Sequence, residues 1–370
     1  MRNLILVLSL LFSANAFSAS NILLGSFPGV DHREAFARWL GKEPAVEVMF
    51  ADWEKAQTAH TLSYMTYIWS RGAVPMLTWE LFTGNNRTSE KNINTLIHSG
   101  KYDDYIKDFR ASLKKWLAGP NNIYGDADDR RLYIRLGHEM NGDWYPWSPG
   151  FAGSADSDKD YVKMWQHVHD LIGADINSGH VQWMWIPMNC TCSRSMKSLY
   201  PGDEYVDWVG VDAYNWGPYQ ASGWQSPEKM LKPFLDKLAD IAPNKPIAIP
   251  EIAAVPEGGD KTQWVRDMAG FTSYYVGPRG QRIHLISYFN ARKNEQVAGG
   301  AIREIGFAVF ETKQQVGSTA WTDQGDSGKG TYYTFPSYKA LIGGWANYIG
   351  ANRDGHNPRL LTNSQFWGKE

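Results

Sequence analysis

The stretch RLGHEMNGDWYPW at positions 135–147 begins at the end of a short apolar run, Leu132–Leu136. This run has the length and composition of a buried strand, and charged and aromatic residues follow it at once. A second run of the same kind, Ile247–Ile249, is closely followed by a glutamate. Two glutamates, Glu139 and Glu251, are therefore predicted to lie where buried strands end.

Eight short runs rich in apolar and β-branched residues predict strands along the chain. They are Ile22–Leu24, Val46–Phe50, Ala73–Thr78, Leu132–Leu136, Val181–Ile186, Trp208–Val211, Ile247–Ile249 and Ile283–Tyr288. Stretches with helical periodicity lie between most of them: Arg33–Leu40, His60–Trp69, Tyr105–Trp116, Lys159–Ile172, Pro227–Ile241 and Thr262–Tyr275. Eight strands alternating with helices are typical of a (β/α)8 barrel. Only Ser193–Tyr200 remains for a helix after the fifth strand.

An open, doubly wound sheet would show the same alternation of strands and helices. Polar and aromatic residues favour the barrel because they directly follow several predicted strands: Trp79 and Glu80, His138 and Glu139, Asp212 and Tyr214, Glu251, and Phe289 and Asn290. In a barrel these strand ends converge on one face. We therefore predict an α/β fold, a (β/α)8 TIM barrel that forms a single domain with elaborated loops over residues 20–370.

Two features follow the eighth predicted strand. The segment from Asn290 to Gly330 is rich in glycine, lysine and glutamine, which predicts a long loop insertion. A closing helix is expected over Ser337–Tyr348.

The first residues have the pattern of a secretory signal peptide. Arg2 precedes an apolar core from Leu4 to Phe12, and the segment Ala14-Asn15-Ala16 has the A-x-A form of a cleavage site. We expect residues 1–19 to be removed by cleavage near positions 16–19, and the product to be secreted or periplasmic. No other stretch of the sequence approaches the roughly 20 apolar residues that cross a bilayer.

Composition points to a neutral ligand. The formal net charge is −2 and no block of Lys or Arg occurs, so neither nucleic acid nor an anionic membrane surface is expected as a partner. The chain has 17 tryptophans, and flat indole faces stack on the apolar faces of sugar rings. We expect a β-linked polysaccharide or oligosaccharide as the partner, bound by a monomer.

The sequence contains two cysteines, Cys190 and Cys192. They could pair in an oxidising compartment, but a bridge between residues i and i+2 closes a strained ring, so two separate thiols are the simpler interpretation. Neither cysteine has the sequence partners of a metal site, and no HExxH motif occurs. No metal or other cofactor is expected.

The two strand-end glutamates have the pattern of a glycosidase pair. Retaining glycosidases use a protonated and an ionised carboxyl group about 5–5.5 Å apart, and barrel strands four and seven can place Glu139 and Glu251 in that way. Burial against Trp144 and the charge of Glu251 would raise the pKa of Glu139. A hydroxyl donor such as Tyr214 would favour the ionised form of Glu251.

The chain resembles glycoside hydrolase family 26, a family of retaining (β/α)8 hydrolases with catalytic glutamates on strands four and seven. The segment from Arg135 to Trp144 resembles the acid/base motif R-x-x-H-E-M-N-G-x-W. The resemblance implies that Glu139 is the acid/base and Glu251 the nucleophile. It also implies that Tyr214 hydrogen-bonds the nucleophile and that Trp144 forms the aromatic floor of the sugar site.

The candidate substrate-binding residues are those that surround this pair in the predicted barrel: Arg135, His138, Asn141, Trp144, Tyr214, Trp79, Trp147 and Trp216. His138 and Asn141 could donate hydrogen bonds to sugar hydroxyls. Large aromatics serve burial equally often, so Trp79 and Trp147 could belong to the core, and Tyr214 and Trp216 to the packing of the rim. Asp212 fits an orienting role better than that of a third catalytic carboxyl.

The resemblance implies a β-glycan substrate of one of several kinds. Most of these relatives cut β-1,4 bonds in mannans, while others cut β-1,3-1,4-glucan or β-1,3-xylan. The mannanases commonly carry a Trp-His pair after strand three, where this chain has Thr78-Trp79-Glu80. We expect a secreted, retaining endo-β-glycanase with β-mannan as the first candidate substrate and mixed-linkage glucan or an exopolysaccharide as alternatives.

Two other classes of function also fit a barrel. A carbohydrate-binding barrel without catalysis would use the tryptophans alone, but the presence of both glutamates weighs against it. A metal-dependent polysaccharide deacetylase would require a cluster of His and Asp ligands that the sequence does not show.

Overall fold

A computed structural model of the protein describes residues 20–27, 32–54, 57–344, 347–354, 357–359 and 361–369. The predicted signal peptide, residues 1–19, lies outside the described residues. Within these ranges, no helix combines the length and the apolar character that crossing a membrane requires.

Eight parallel strands form a closed barrel. They are β1 Ile22–Phe27, β2 Val46–Asp52, β3 Val74–Glu80, β4 Leu132–Leu136, β5 Val181–Trp185, β6 Trp208–Gly210, β7 Ile247–Ala254 and β8 Ile283–Phe289. Strand β1 pairs with β8 on one side, with Leu23 opposite Leu285, and with β2 on the other, with Gly25 opposite Val46. The predicted barrel is confirmed, and each predicted strand overlaps an observed one.

Helices cover the outside of the barrel. They are α1 Arg33–Leu40, α2 Thr58–Ser70, α3 Ile93–His98, α4 Asp103–Leu117, α5 Asp158–Gly173, α6 Pro227–Ile241 and α7 Lys261–Tyr274. Local chemistry sets several helix starts: Ser157 and Asp160 form a capping box for α5, and the Ser226 hydroxyl caps α6. After β5 the chain forms the 3-10 turn Lys197–Leu199, where the sequence left little room for a helix.

The segment after β8 is more ordered than its composition suggests. It forms the hairpin β9 Arg292–Gln296 and β10 Ile302–Gly306, followed by a three-stranded sheet of β11 Phe310–Glu311, β12 Thr319–Asp323 and β13 Gly330–Thr334. The buried Lys261 at the start of α7 anchors this insertion. Its ammonium donates to the backbone oxygens of Phe307 at 2.9 Å and Ala308 at 2.7 Å.

The expected closing helix over Ser337–Tyr348 is wrong. The chain has a short helix, α8 Pro336–Tyr338, then the π-helical turn Lys339–Gly343. Tyr348 begins strand β14, Tyr348–Asp354, which pairs with β1, with the short strand Glu43–Pro44 and with β15, Asn357–Arg359. The glycines that follow Ile342 favour the end of a helix, and the buried Tyr348 hydroxyl donates to the oxygen of Ala269 at 3.1 Å.

The last described residues close the amino-terminal end of the barrel. Phe366, in helix α9 Asn363–Phe366, is fully buried in the apolar cluster inside the barrel. Its ring centroid lies 4.8 Å from that of Tyr133 on β4, and the Tyr133 hydroxyl donates to the Phe366 backbone oxygen at 3.1 Å. The carboxyl-terminal ends of the strands are left for the functional site.

Candidate active site

Glu139 lies just beyond β4 in an uncommon backbone conformation. Its φ is +53°, a left-handed value that non-glycine residues rarely adopt, and its N–H donates to the Ile186 oxygen at 2.8 Å. The Trp144 indole N–H donates to Glu139 Oε2 at 2.7 Å. Glu139 is 7% exposed. Strain of this kind concentrates at functional sites, and here it sets the direction of one buried carboxyl group.

The environment of Glu139 favours its protonated form. Burial raises the pKa of Glu139 to about 7, and the negative charge of Glu251 acts in the same direction. The ammonium of Lys293 and the hydrogen bond from Trp144 lower this pKa, but burial is the larger effect. Glu139 therefore keeps its proton to a pH well above that of an ordinary glutamate.

Glu251 is held from two sides. It lies within β7, and its carboxylate accepts hydrogen bonds from the Tyr214 hydroxyl on one oxygen and from the Arg135 guanidinium on the other. Tyr214 is placed by the short strand Ala213–Asn215, which pairs with β7 beyond the end of β6. Two donors, one on each oxygen, leave this carboxylate little freedom to turn.

Arg135 links Glu251 to two further groups inside the barrel. Its guanidinium donates to Asp212 Oδ2 at 2.6 Å and to the Thr78 hydroxyl at 2.6 Å. Arg135 and Asp212 are both fully buried. Burial raises the pKa of Asp212 well above its usual value, although the charge of Arg135 opposes this. Asp212 thus orients Arg135, as its position after β6 suggested.

His138 is a neutral group beside the pair. Burial and the charge of Arg135 hold the pKa of His138 well below its usual range. Its Nδ1 atom has no hydrogen-bond partner among the described residues. Possible metal-ligand atoms of His138, Asp212 and Glu251 lie within 4.8 Å of one another. Both carboxylates of this group already accept hydrogen bonds from Arg135, so a guanidinium supplies the positive charge there.

Trp144 has the exposure that a sugar platform requires. It is 42% exposed, the side chain of Tyr145 is half-buried beside it, and their ring centroids are 6.4 Å apart. The Trp144 ring lies so close to Gly142 that a Cβ there would meet ring carbons at 2.5 Å. Glycine therefore lets one face of the indole rest on the backbone.

Comparison with known proteins assigns the chain to a family. Residues 55–290 match the family described as glycosyl hydrolase family 26. The chain belongs to glycosyl hydrolase family 26. Its resemblance to this family, first inferred from the segment around Glu139, is confirmed.

Two curated relatives bear different names. Endoglucanase H of Acetivibrio thermocellus is 29% identical over 278 residues, which cover 71% of this chain and 28% of that protein. A mannan endo-1,4-beta-mannosidase of Bacillus subtilis is 27% identical over 202 residues, which cover 49% of this chain and 52% of that protein. The chain thus spans only part of the length of these curated relatives.

Solved structures show the same fold. The structure of GH26C from Muricauda sp. MAR_2010_75 aligns with a TM-score of 0.52 at 15% identity, covering 74% of this chain and 79% of that chain. The GH26 β-mannanase BoMan26A from Bacteroides ovatus aligns with a TM-score of 0.51 at 16% identity, covering 72% and 80% of the two chains. At these identities the likeness shows the (β/α)8 fold.

Two predicted sugar platforms of this family 26 site are core residues. Trp79 is 1% exposed and its ring centroid lies 4.4 Å from that of Phe109 on α4, because its position on β3 points toward the helix layer. Trp147 is fully buried and donates to the His138 backbone oxygen at 2.8 Å. Neither ring offers a face to a sugar, so their assignment as substrate-binding residues is wrong.

Two predicted polar contacts to substrate are also structural. The Asn141 amide donates to the Met188 oxygen at 2.9 Å and accepts from the Met188 N–H at 2.8 Å, so its hydrogen-bonding capacity is used by the backbone. Arg135 has no exposed surface, and its guanidinium donates a hydrogen bond to Glu251 from inside the barrel. Trp144, Tyr214 and the half-buried Trp216 remain at the mouth, with Tyr214 and Trp216 ring centroids 5.9 Å apart.

The two cysteines form a disulfide, contrary to the simpler interpretation of the sequence. Their Cα atoms are 5.1 Å apart, a separation that a bridge accommodates. The bridge lies beside the segment that follows β4, because the Asn141 amide donates to Cys190 Sγ at 3.3 Å. The loop after β5 is thereby tied to the loop that carries Glu139.

Sequence reasoning missed several residues at the mouth. Tyr145 stacks on Trp147, with ring centroids 4.4 Å apart, and its ring centroid is 4.8 Å from that of His138. The ammonium of Lys293, on hairpin strand β9, lies 5.2 Å from the Tyr214 ring centroid and is paired with Glu295 at 2.7 Å. Tyr145 follows Trp144 in the same motif and could have been noticed, whereas nothing in the loop sequence marks Lys293.

Proposed function

We propose that this protein is a retaining endo-β-glycanase that hydrolyses internal β-1,4 bonds of a neutral polysaccharide, with β-mannan as the first candidate substrate. One observation supports it above the others. A buried carboxyl group with a pKa raised to about 7, Glu139, lies beside a carboxylate that accepts two hydrogen bonds, Glu251. Glycosidases that retain configuration need this pairing of an acid with a nucleophile.

In the first step Glu139 transfers its proton to the glycosidic oxygen while a Glu251 oxygen attacks the anomeric carbon. The bond from this carbon to the leaving oxygen breaks, and a glycosyl ester of Glu251 forms. Tyr214 and Arg135 orient the attacking carboxylate. Trp144 fixes the Glu139 carboxyl through one oxygen and presents an exposed ring face on which a sugar can stack.

The second step reverses the role of Glu139. Esterification removes the negative charge of Glu251, and with it the charge that raised the pKa of Glu139. Glu139 then accepts a proton from water, whose oxygen attacks the anomeric carbon and releases Glu251. Glu139 therefore acts as the acid in the first step and as the base in the second.

A β-1,3-1,4-glucanase is the second candidate activity. It is favoured by endoglucanase H, the relative that aligns over 71% of this chain. We also propose that the protein is exported and acts outside the cytoplasm, on the strength of the pattern in residues 1–19. We propose separately that it acts as a monomer.

Reducing-sugar release from galactomannan, glucomannan, barley β-glucan, lichenan and β-1,3-xylan tests the activity. Release from one polymer should be abolished in Glu251→Ala. Azide, which replaces the missing nucleophile, should restore chain cleavage without new reducing ends, because each cut then yields a glycosyl azide of inverted configuration, which NMR or mass spectrometry detects. Asp143→Asn is the matched control, because Asp143 is an exposed carboxyl on the same loop as Glu139. NMR of the first product should show the anomeric configuration of the substrate. Tight binding without release from any polymer would instead support a carbohydrate-binding barrel.

A further inference from the structure

Glu80 lies at the mouth of the barrel, on its inner side. Successive side chains of a strand point to opposite faces. Thr78, two residues earlier on β3, points inward to Arg135, while Trp79 points outward to α4. Glu80 therefore shares the inward face of Thr78, one layer closer to the mouth, and lies opposite Asp52 of β2 in the strand register.

Glu80 has an acceptor atom that no described residue uses. It is 1% exposed, and its Oε1 accepts from the Arg87 guanidinium at 2.7 Å. Its Oε2 is buried and has no partner in the described part of the chain. Burial raises the pKa of Glu80 to about 7 in spite of Arg87. An unsatisfied buried oxygen on a carboxyl group is costly, and a ligand that supplies a donor removes this cost.

Arg87 is built into the rim as the holder of Glu80. It has a φ of +56° and follows Asn86 with a φ of +59°, in a turn bridged by Gly84 and Thr88. Its guanidinium lies 4.4 Å from the Phe82 ring centroid and reaches Asp52 Oδ1 at 3.4 Å. Left-handed residues in succession are costly away from glycine, and this strained turn carries the half-exposed Arg87 to Glu80.

Glu80 also faces the catalytic pair. The charges of Glu139, Glu80 and Glu251 all raise the pKa of Tyr145, after burial as the main cause. The strand register and ring contacts agree: Trp79 lies opposite Leu136, three residues before Glu139, and the Phe82 ring contacted by the Arg87 guanidinium lies 6.3 Å from the Tyr145 ring centroid. A sugar positioned between Glu139 and Glu251 would lie beside Glu80.

We propose that Glu80 is a specificity-determining residue that accepts, through Oε2, a hydrogen bond from a hydroxyl of the sugar bound between Glu139 and Glu251. Arg87 acts as its positioning residue. The substrate thereby carries this hydroxyl unsubstituted, because a substituted oxygen would have no proton to donate. This inference rests on the proposed function and specifies its substrate.

The experiment compares binding and turnover for Glu80→Gln and Glu80→Ala. Probes are oligosaccharides of the hydrolysed polymer and their monodeoxy analogues, each lacking one hydroxyl of the sugar at the cleavage site. The alanine variant should lose about 10- to 100-fold in kcat/KM on the complete sugar, the usual range for a hydrogen bond to a charged group. The analogue that lacks the hydroxyl bound by Glu80 should have the same low kcat/KM with the wild type and with the variant. Glu54→Gln, a carboxyl change at the neighbouring strand end, is the control.

Several results would overturn the proposal: no loss in Glu80→Ala, an equal loss with every deoxy analogue, or a variant whose only defect is a lower melting temperature. Arg87→Lys should give a smaller loss on the same hydroxyl. Binding measured in Glu251→Ala, with and without Glu80→Gln, separates this inference from the proposed function. If the wild type hydrolyses no polymer but Glu80→Gln still weakens oligosaccharide binding, only the proposed function fails. If the wild type hydrolyses a polymer but Glu80→Gln leaves binding unchanged, only the inference about Glu80 fails.

Discussion

The two ends of the barrel differ in what they bury. At the amino-terminal end, Phe366 and Tyr133 pack inside the strands, and the Tyr133 hydroxyl donates to a backbone oxygen. At the carboxyl-terminal end, His138, Asp212 and Glu80 are buried with polar atoms that lack partners within the described residues. Unpartnered buried groups cost stability. The amino-terminal end therefore buries mostly apolar groups, apart from the Trp208 indole N–H, which has no partner in the described part of the chain, whereas the carboxyl-terminal end keeps titratable groups in reserve for a ligand.

The largest effect is expected at the carboxyl-terminal end. Glu139→Gln removes the proposed proton donor, and general acid catalysis contributes about 10²- to 10⁴-fold, so kcat should fall by that factor. The melting temperature should stay the same or rise, because a buried ionisable group with a raised pKa is removed. Steady-state kinetics and calorimetry check both. A destabilised variant with normal turnover would break the contrast between the two ends.

The opposite result is expected for Phe366→Ala. Removing this buried ring from the amino-terminal end should lower the free energy of unfolding by about 3–5 kcal/mol. Turnover of the folded fraction should not change, because the ring lies away from the site. Denaturant unfolding with activity assays on the folded protein checks this, and Phe366→Leu is the conservative control. A loss of kcat in fully folded protein would show that the ends are coupled.

The pH dependence of kcat/KM tests the proposed role of Glu139 at the barrel mouth. Glu139 must be protonated to act as the acid, so kcat/KM should fall as the pH rises through about 7. Lys293 lowers the pKa of Glu139, so Lys293→Met should move this basic limb to higher pH, while Lys293→Arg should leave it in place. Because the pKa of Glu80 is also raised to about 7, the limb should persist in Glu80→Gln if Glu139 causes it.

A smaller effect is expected from the disulfide. A bridge between Cys190 and Cys192 closes a very short loop, so replacing both by serine should cost about 1–2 kcal/mol in unfolding free energy. Turnover should fall moderately, since the bridge holds the loop beside Asn141. Thermal melting with kinetics would test this. A loss as large as that of Phe366→Ala would mean that the mouth depends on the bridge for its fold.

The smallest effect is expected from chelation. Arg135 donates to Asp212 and Glu251, the two carboxylates of the histidine-containing group at the mouth. Activity after dialysis against EDTA should therefore equal the untreated activity. Loss of activity that zinc or calcium restores would point to a metal-dependent reaction, such as that of a deacetylase.

The fold and the placement of Glu139 and Glu251 at the barrel mouth were predictable because both depend on local patterns. Short apolar runs separated by helical periodicity indicated every barrel strand, and the motif around Glu139 occurs next to its strand. It was harder to predict which side of a strand each side chain faces. Trp79 and Glu80 are neighbours at one strand end, yet one points to the helices and the other to the site, and a shift of one residue exchanges these roles.

Features that depend on distant parts of the chain were not predictable. Asn141 has the chemistry of a sugar contact, but its amide is used by the Met188 backbone. The expected closing helix gave way to a strand because Tyr348 finds a buried place beside β1 and α7. Lys293 reaches the site only through the hairpin of an insertion. Each outcome is decided by tertiary contacts that outweigh local propensity.

Strand β14 and helix α9 also affect how the protein is made. They bring the last described residues of the chain onto the first barrel strand and into the end of the barrel. Contacts between such distant residues form late, because a long loop must close before they are gained. During synthesis the ribosome must therefore deliver the chain as far as Phe366 before this end of the barrel can be covered. Until then the nascent protein exposes apolar strands that chaperones can hold.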